Sequence, residues 1–291
     1  MYPSRFAYEA PRTLDEAIDL LARGAGEAKV LAGGQSLVPL LKLRFASPDL
    51  LVDINNLPGL DHLEVAPSGA IRVGALVRHR DLERASALTT AQPVMAAAAP
   101  LIADPIVRTR GTLVGSLCHA DPQGDWAAAV TAVGGHVVAQ GPRGRRSIPI
   151  SDFVTGPFQN VLAFDEIAVE AVMPAPQGTP VGGFLKLERR VGDFATAGTA
   201  VALDLDGDRV VRAGIALTGV GSRTINASDA AATLVGQPLT ADTIARAADL
   251  AAADAQPNSD HRGSAEYKRH VIHTFVTRIL TRITTTSERA A

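Results

Sequence analysis

Cysteine is nearly absent from these 291 residues: Cys118 stands alone. That excludes an intrachain disulfide and any cysteine-ligated zinc or iron–sulfur centre built from this chain by itself. A reducing cytoplasm is the expected setting. There is no basic excess either, with 28 Lys plus Arg against 30 Asp plus Glu, so nothing offers to neutralise a nucleic-acid backbone or hold an anionic membrane. No stretch approaches the roughly 20 apolar residues of a membrane span. The opening "MYPSRFAYEAPRTLDEA" lacks the basic-then-apolar order of a secretory signal, so a soluble protein is expected. The histidines show no metal-binding spacing such as H-E-x-x-H.

What is present reads as an ordinary globular chain, 46% hydrophobic and 20% charged, long enough for about two domains with a small third possible. The first 60 or so residues predict a β-α-β-α-β unit. A strand at Phe6–Tyr8 precedes a helix that Thr13 caps, with Glu16 completing a capping box, Leu14, Ala17, Ile18 and Leu21 on one face, and Gly24 at its end. Strands follow at 28–31 and 49–54, on either side of a helix at 37–43. A second region, 61–176, predicts a strand at 69–76, helices at 81–87 and 92–102, an open Gly/Ser/Asp-rich stretch at 109–125, a hairpin over 135–150 and a strand ending at Pro174. Arg143, Arg145 and Arg146 read as a solvated turn. Beyond the Pro/Gly linker 173–180, "LDLDGDRVV" predicts a hairpin turning at Asp206-Gly207. Helices at 243–255 and 264–283 should cover this antiparallel sheet. In the second of these Ser264 is the cap, and Tyr267, Val271, Ile272, Phe275 and Ile279 form the packed face. "TTTSERAA" reads as a fraying tail.

Two stretches could carry chemistry. In "KVLAGGQSLVPLL", Gly33 and Gly34 lie between strand and helix, where bare backbone lets N–H groups meet an anion, and Ser36 is placed to cap the helix. Either a pyrophosphate cradle or a tight turn with a cap would account for it. "GAGEAK" at 24–29 is no dinucleotide fingerprint, because a helix precedes it and the third glycine is missing. In "RTRGTLVGSLCHADPQGDWAAAV", Gly111, Gly115 and Ser116 again open the backbone, Thr112 and Ser116 add hydroxyls, and Asp121 and Asp125 add acceptors. Cys118 and His119 are adjacent and should point to opposite faces of an extended segment, so they form no nucleophile–base pair.

"AGGQSL", "RGTLVGSLCHADPQGD", "DEIAVEAVMP", "KLERRVGDFATAG" and "DHRGSAEYKRHV", taken together and in this order, resemble the FAD-binding medium subunits of molybdenum hydroxylases. Carbon monoxide dehydrogenase medium subunits are the type, and the flavin domain of xanthine dehydrogenase is a wider relative. The resemblance implies an α+β fold: a two-part flavin-binding domain of the vanillyl-alcohol-oxidase (PCMH) type over 1–176, with subdomains near 1–60 and 61–176, then a small C-terminal domain over 177–291.

It also implies noncovalent FAD. Ala32, Gly33, Gly34, Gln35, Ser36 and Leu37 would cradle the diphosphate, with Thr112, Gly115 and Ser116 as a second loop. Asp125 would accept from a polar group of the cofactor, Ile102 and Ala168 would form apolar walls, Lys186 would lie near the flavin, and Asp193 and Phe194 would sit beside its ring. The chain departs from the family where Val114 replaces the first of two consecutive glycines, and where Phe194 replaces a larger aromatic with a polar handle. The implied partners are a large subunit carrying molybdenum cytosine dinucleotide and a small subunit carrying two [2Fe-2S] clusters, arranged as a dimer of heterotrimers. A stand-alone FAD oxidase, with flavin tethered through His or Cys, and a flavin-free assembly module are the alternative readings.

Overall fold

A computed structural model describes residues 2–290 of the chain, with side chains through Thr285. The first unit is β1 (Ala7–Glu9), α1 (Leu14–Arg23), β2 (Ala28–Leu31), α2 (Leu37–Leu43) and β3 (Leu50–Asp53), its strands forming a parallel sheet in the order β1-β3-β2. The Thr13 hydroxyl accepts from the Glu16 N–H at 3.2 Å while the Glu16 carboxylate accepts from the Thr13 N–H at 3.2 Å, so the expected capping box closes. With its N-terminus fixed, α1 buries Ala17, Ile18 and Leu21. Ser36 does not cap α2. Its backbone is already helical (φ −101°, ψ −46°), and a cap needs the extended conformation that turns the hydroxyl back onto the first turn.

The second unit begins with β4 (Leu63–Val65) and β5 (Ile71–Gly74), then runs through short helices: α3 (His79–Arg84), α4 (Ala87–Ala91), α5 (Pro93–Ala98) with a 3₁₀ turn at Ala99–Leu101, α6 (Pro105–Arg108), α7 (Leu113–His119) and α8 (Asp125–Ala132). It closes with β6 (His136–Gly141), β7 (Gly144–Pro149), α9 (Ile150–Phe153), β8 (Val154–Gly156), β9 (Gln159–Asn160) and β10 (Ile167–Met173). The main sheet is antiparallel, ordered β4-β5-β10-β6-β7.

Two expectations fail in this unit. The stretch predicted to be open contains α7, started by Thr112, whose hydroxyl accepts from the Gly115 N–H at 3.1 Å; Cys118 and His119 are therefore helical rather than extended. Arg146 is more than a solvated turn residue, because its guanidinium forks onto the buried Glu166 carboxylate at 2.8 and 2.7 Å.

The third unit comprises β11 (Thr179–Leu187), β12 (Ala197–Asp206), β13 (Arg209–Thr218), β14 (Ile225–Asn226), α10 (Ser228–Ala232), α11 (Ala241–Asp254) and α12 (Ala265–Ala290). Asp206 pairs with Arg209, so the hairpin turns one position later than expected, at Gly207-Asp208, with Gly207 at φ 60°. The Ser264 hydroxyl caps α12 by accepting from the Tyr267 N–H at 3.1 Å. Tyr267 itself is half-exposed, so the packed face starts at Val271. The tail expected to fray is helical through Ala290, and Ala291 lies outside the described residues.

This antiparallel sheet is covered on both faces. Val201, Leu203, Ile215 and Leu217 pack with α11 and α12, while the small residues Ala200, Ala202 and Ala216 join the core of the second unit. Small side chains let α8 settle onto the strands: a Cβ added at Gly214 would lie 1.9 Å from the Ala132 carbonyl oxygen. That contact seats α8, whose first residue is Asp125.

Candidate functional site

The loop between β2 and α2 makes little use of its own donors. Among the described residues, no protein group accepts from the backbone N–H groups of Gly33, Gly34, Gln35, Ser36 or Leu37. The Gln35 amide instead donates to the Gly33 carbonyl at 3.3 Å. Gly34 has φ +72°, a conformation that favours glycine and turns successive N–H groups toward a common side.

Gly33 is buried against the second loop. A Cβ built there would lie 2.3 Å from the Arg110 carbonyl oxygen and 2.8 Å from the Gly111 Cα, so the two loops touch through bare backbone. Polar side chains lock the contact. Asn55 donates from Nδ2 to the Ala32 carbonyl at 2.8 Å and accepts at Oδ1 from Arg78 at 2.6 Å, while the other arm of the Arg78 guanidinium donates to the Arg110 carbonyl at 2.6 Å. Asp53 accepts from the Asn55 N–H at 2.9 Å and from the Tyr8 hydroxyl at 2.6 Å. Burial works the other way, but these donors hold the Asp53 carboxyl below its ordinary value.

Beyond Gly111 the chain of contacts continues inward. The His79 N–H donates to the Gly111 carbonyl at 2.9 Å, and a side chain at Gly111 would strike the His79 ring. Trp126, fully buried, donates its indole N–H to His79 Nδ1 at 2.9 Å. Because indole can only donate, the His79 proton sits on Nε2. Burial, then the charges of Arg108 and Arg78, hold His79 down at about 4.

Next to Trp126, the Asp125 carboxylate receives the Lys186 ammonium at 2.9 Å. The same ammonium donates to the Leu101 and Asp193 carbonyls and lies 3.2 Å from Glu188, with only 1% of its side chain exposed. Burial pushes Asp125 up to about 6 despite Lys186, and its Oδ1 is buried with no hydrogen-bond partner. Asp193 is kept below its ordinary value, chiefly by the Phe194 N–H bonded to its own carboxylate. Arg262, just ahead of α12, donates to the Phe194 carbonyl at 3.2 Å and lies 3.6 Å from Asp193, tying the end of the third unit to its β11–β12 connection.

Residues 4–176 match the model of the FAD binding domain in molybdopterin dehydrogenase, and residues 183–283 that of the CO dehydrogenase flavoprotein C-terminal domain. The chain belongs to the FAD-binding medium-subunit family of molybdenum hydroxylases. It is 40% identical to the carbon monoxide dehydrogenase medium chain of Hydrogenophaga pseudoflava, over 96% of this chain and 97% of that one. It is 38% identical to the 6-hydroxypseudooxynicotine dehydrogenase complex subunit alpha of Paenarthrobacter nicotinovorans, over 96% and 95%. Among solved structures, a carbon monoxide dehydrogenase from Hydrogenophaga pseudoflava lacking the Mo-pyranopterin moiety of its cofactor superposes with a TM-score of 0.92, at 40% identity and covering 97% and 98% of the two chains. The subunit is thus a flavoprotein component of an oxidoreductase of the carbon monoxide and xanthine dehydrogenase type.

The residues of this medium subunit fit FAD on the structure's own terms. Five consecutive unclaimed N–H groups suit a diphosphate, and the orphan Asp125 Oδ1 suits a donor. Among the described residues no cluster of His, Cys, Asp and Glu is placed to hold a metal ion, and no helix is long and apolar enough to cross a membrane.

The structure brings Ala32 to Leu37 against the loop of Thr112, and Asp125, Lys186 and Asp193 into one cluster. Thr112 and Gly115 serve each other: the hydroxyl caps α7, and a Cβ at Gly115 would lie 2.7 Å from it. Ser116 is half-buried within α7. Ile102 is buried, its carbonyl accepting from Arg108 at 3.1 Å. Ala168 is buried at a bulge in β10, the strand against which α7 packs. Val114 is 2% exposed and faces the core, so it does not obstruct the loop. Phe194 is half-exposed.

Sequence reasoning missed Asn55, Arg78, His79 and Arg262. Asn55 and Arg78 lie just beyond strands, in "DINN" and "LVRHR", where a polar residue usually reads as turn chemistry. Only the fold turns them toward the loops.

Proposed function

We propose that this subunit binds FAD noncovalently and serves as the electron-transfer component of a molybdenum hydroxylase, between two [2Fe-2S] clusters of a small partner subunit and an external acceptor. A large partner would hold molybdenum cytosine dinucleotide, and the assembly would be a cytoplasmic dimer of heterotrimers. Bound FAD would supply the redox chemistry, exchanging electrons at its isoalloxazine ring.

The unclaimed N–H groups from Gly33 to Leu37 carry this reading: Gly33 is buried, Gly34, Ser36 and Leu37 are half-buried, and such donors call for an acceptor, of which a diphosphate offers several. Thr112, Gly115 and Ser116 shape the second wall, with Gly115 contributing room rather than a donor because its N–H is taken. Asp125 would accept from a cofactor N–H or O–H through its free oxygen. Ile102 and Ala168 would supply apolar surface. Lys186 would act as a fixed charge, since its ammonium already points at Leu101, Asp125 and Asp193. Asp193 and Phe194 would flank the ring. In this reading the cofactor domain of the vanillyl-alcohol-oxidase (PCMH) type spans 1–176 and the C-terminal domain 177–291.

The partly buried, apolar setting of Cys118 weighs against a tethered flavin, because it pushes the thiol up to about 12. Native purification of the full chain tests the proposal. A yellow protein that releases FAD on acid treatment and co-purifies with molybdenum and iron supports it. Flavin that stays attached after acid points to the stand-alone oxidase, and a colourless chain that takes up no FAD overturns the reading.

A further inference from the structure

The geometry points to Arg78 and Asn55 as positioning residues that bracket the two cofactor loops at a fixed separation, so that dinucleotide affinity depends on two side chains outside both loops. The inference rests on the FAD reading above. Among the described residues no backbone hydrogen bond braces either loop toward the other. Gly33 and Arg110 touch only by van der Waals contact, which resists compression but not opening.

Opening is opposed by one continuous path: Ala32 carbonyl, Asn55 amide, Arg78 guanidinium, Arg110 carbonyl, with contacts of 2.8, 2.6 and 2.6 Å. The path is anchored at both ends. Asn55 is oriented by Asp53, which Tyr8 in turn holds from β1. Arg78 immediately precedes α3, and the Arg78 N–H bonds Asp81 at 3.2 Å. A planar guanidinium can serve two acceptors from two arms at once, and Arg78 uses both arms in that way; a lysine ammonium on a flexible stem has no such fork. Burial, then the charge of Arg110, hold Arg78 below its ordinary value.

The test uses full-length chain stripped of flavin and titrated with FAD, with binding followed by quenching of flavin fluorescence and by visible circular dichroism. Arg78→Lys and Asn55→Ala should each weaken FAD binding roughly tenfold, mainly through faster release, and the double variant should lose little more than either alone because both cut one path. Thermal unfolding of the flavin-free variants serves as the folding control. Methylguanidinium added at millimolar concentration should restore part of the affinity of Arg78→Ala, whereas equal sodium chloride should not. Gly33→Val separates the two readings. If wild type binds FAD and Gly33→Val abolishes binding while Arg78→Lys leaves it unchanged, the bracket is wrong and the site stands. Fully additive losses in the double variant also overturn the bracket. If wild type itself fails to bind FAD, the site fails with it.

Discussion

Gly33 meets the carbonyl of Arg110 at a distance that leaves no room for a methyl group: its ideal Cβ position lies 2.3 Å from that oxygen. Two loops separated by more than seventy residues in the chain thus share one backbone surface. Neither can move closer to the other.

Gly33→Ala follows directly. The obstructing atoms are backbone, so relief requires moving a loop, and we expect a loss of about 1–3 kcal/mol in stability. Flavin content should fall at the same time. Urea unfolding measures the first effect, and the ratio of visible to ultraviolet absorbance measures the second. Unchanged values for both would contradict the close contact.

His79 should give the subunit a distinct acid sensitivity. Its folded value of about 4 lies below the ordinary 6.5, so between these limits the unfolded chain binds the extra proton. Its neutral burial therefore contributes fully above pH 6.5 and is lost as the pH falls toward 4, by about 3 kcal/mol at most. His79→Asn retains an acceptor for the Trp126 indole but cannot titrate. Stability plotted against pH should be flatter for this variant over that window, as measured by urea midpoints.

The Lys186–Asp125 pair predicts an effect of opposite slope. Lys186→Met leaves Asp125 and Glu188 buried without their cation, which costs about 3–5 kcal/mol where Asp125 is charged. Asp125 already sits at about 6, and removing the ammonium raises it further, so at pH 5 it can shed its charge by protonation. The difference in thermal midpoint between wild type and Lys186→Met should accordingly be larger at pH 8 than at pH 5.

Gly214 is far from the loops in sequence, yet it sets the seat of α8. Adding a methyl group would place it 1.9 Å from the Ala132 carbonyl oxygen, at the opposite end of the helix from Asp125. Gly214→Ala should destabilise the subunit by roughly 2 kcal/mol and weaken its hold on flavin. A conservative change elsewhere on β13, such as exposed Val211→Thr, should do neither. Differential scanning calorimetry and flavin titration of the two variants make the comparison.

Much of the fold is legible in local pattern. The capping box at Thr13, the bounds 28–31 and 37–43, and the existence of the hairpin around Gly207, though not its turn position, each depend on residues within a few positions of one another. Misreadings arose where composition and conformation part company. Gly115 and Ser116 suggest an open loop, but Thr112 caps a helix and the glycine makes room for its hydroxyl. Ser36 has the right type and place for a cap and the wrong backbone.

The sequence by itself determined most element types, the glycine-bearing loop at Gly33-Gly34 and the family, because short-range sterics, hydrogen bonding and ordered motifs are written along the chain. Tertiary structure alone decided that Gly33 faces Arg110, that Arg78 spans Asn55 and Arg110, and that Lys186 is buried among three segments. Those relationships join residues tens of positions apart. They exist only once apolar burial has stacked the helices and sheets, because a direction in space is not a property of any local stretch of chain.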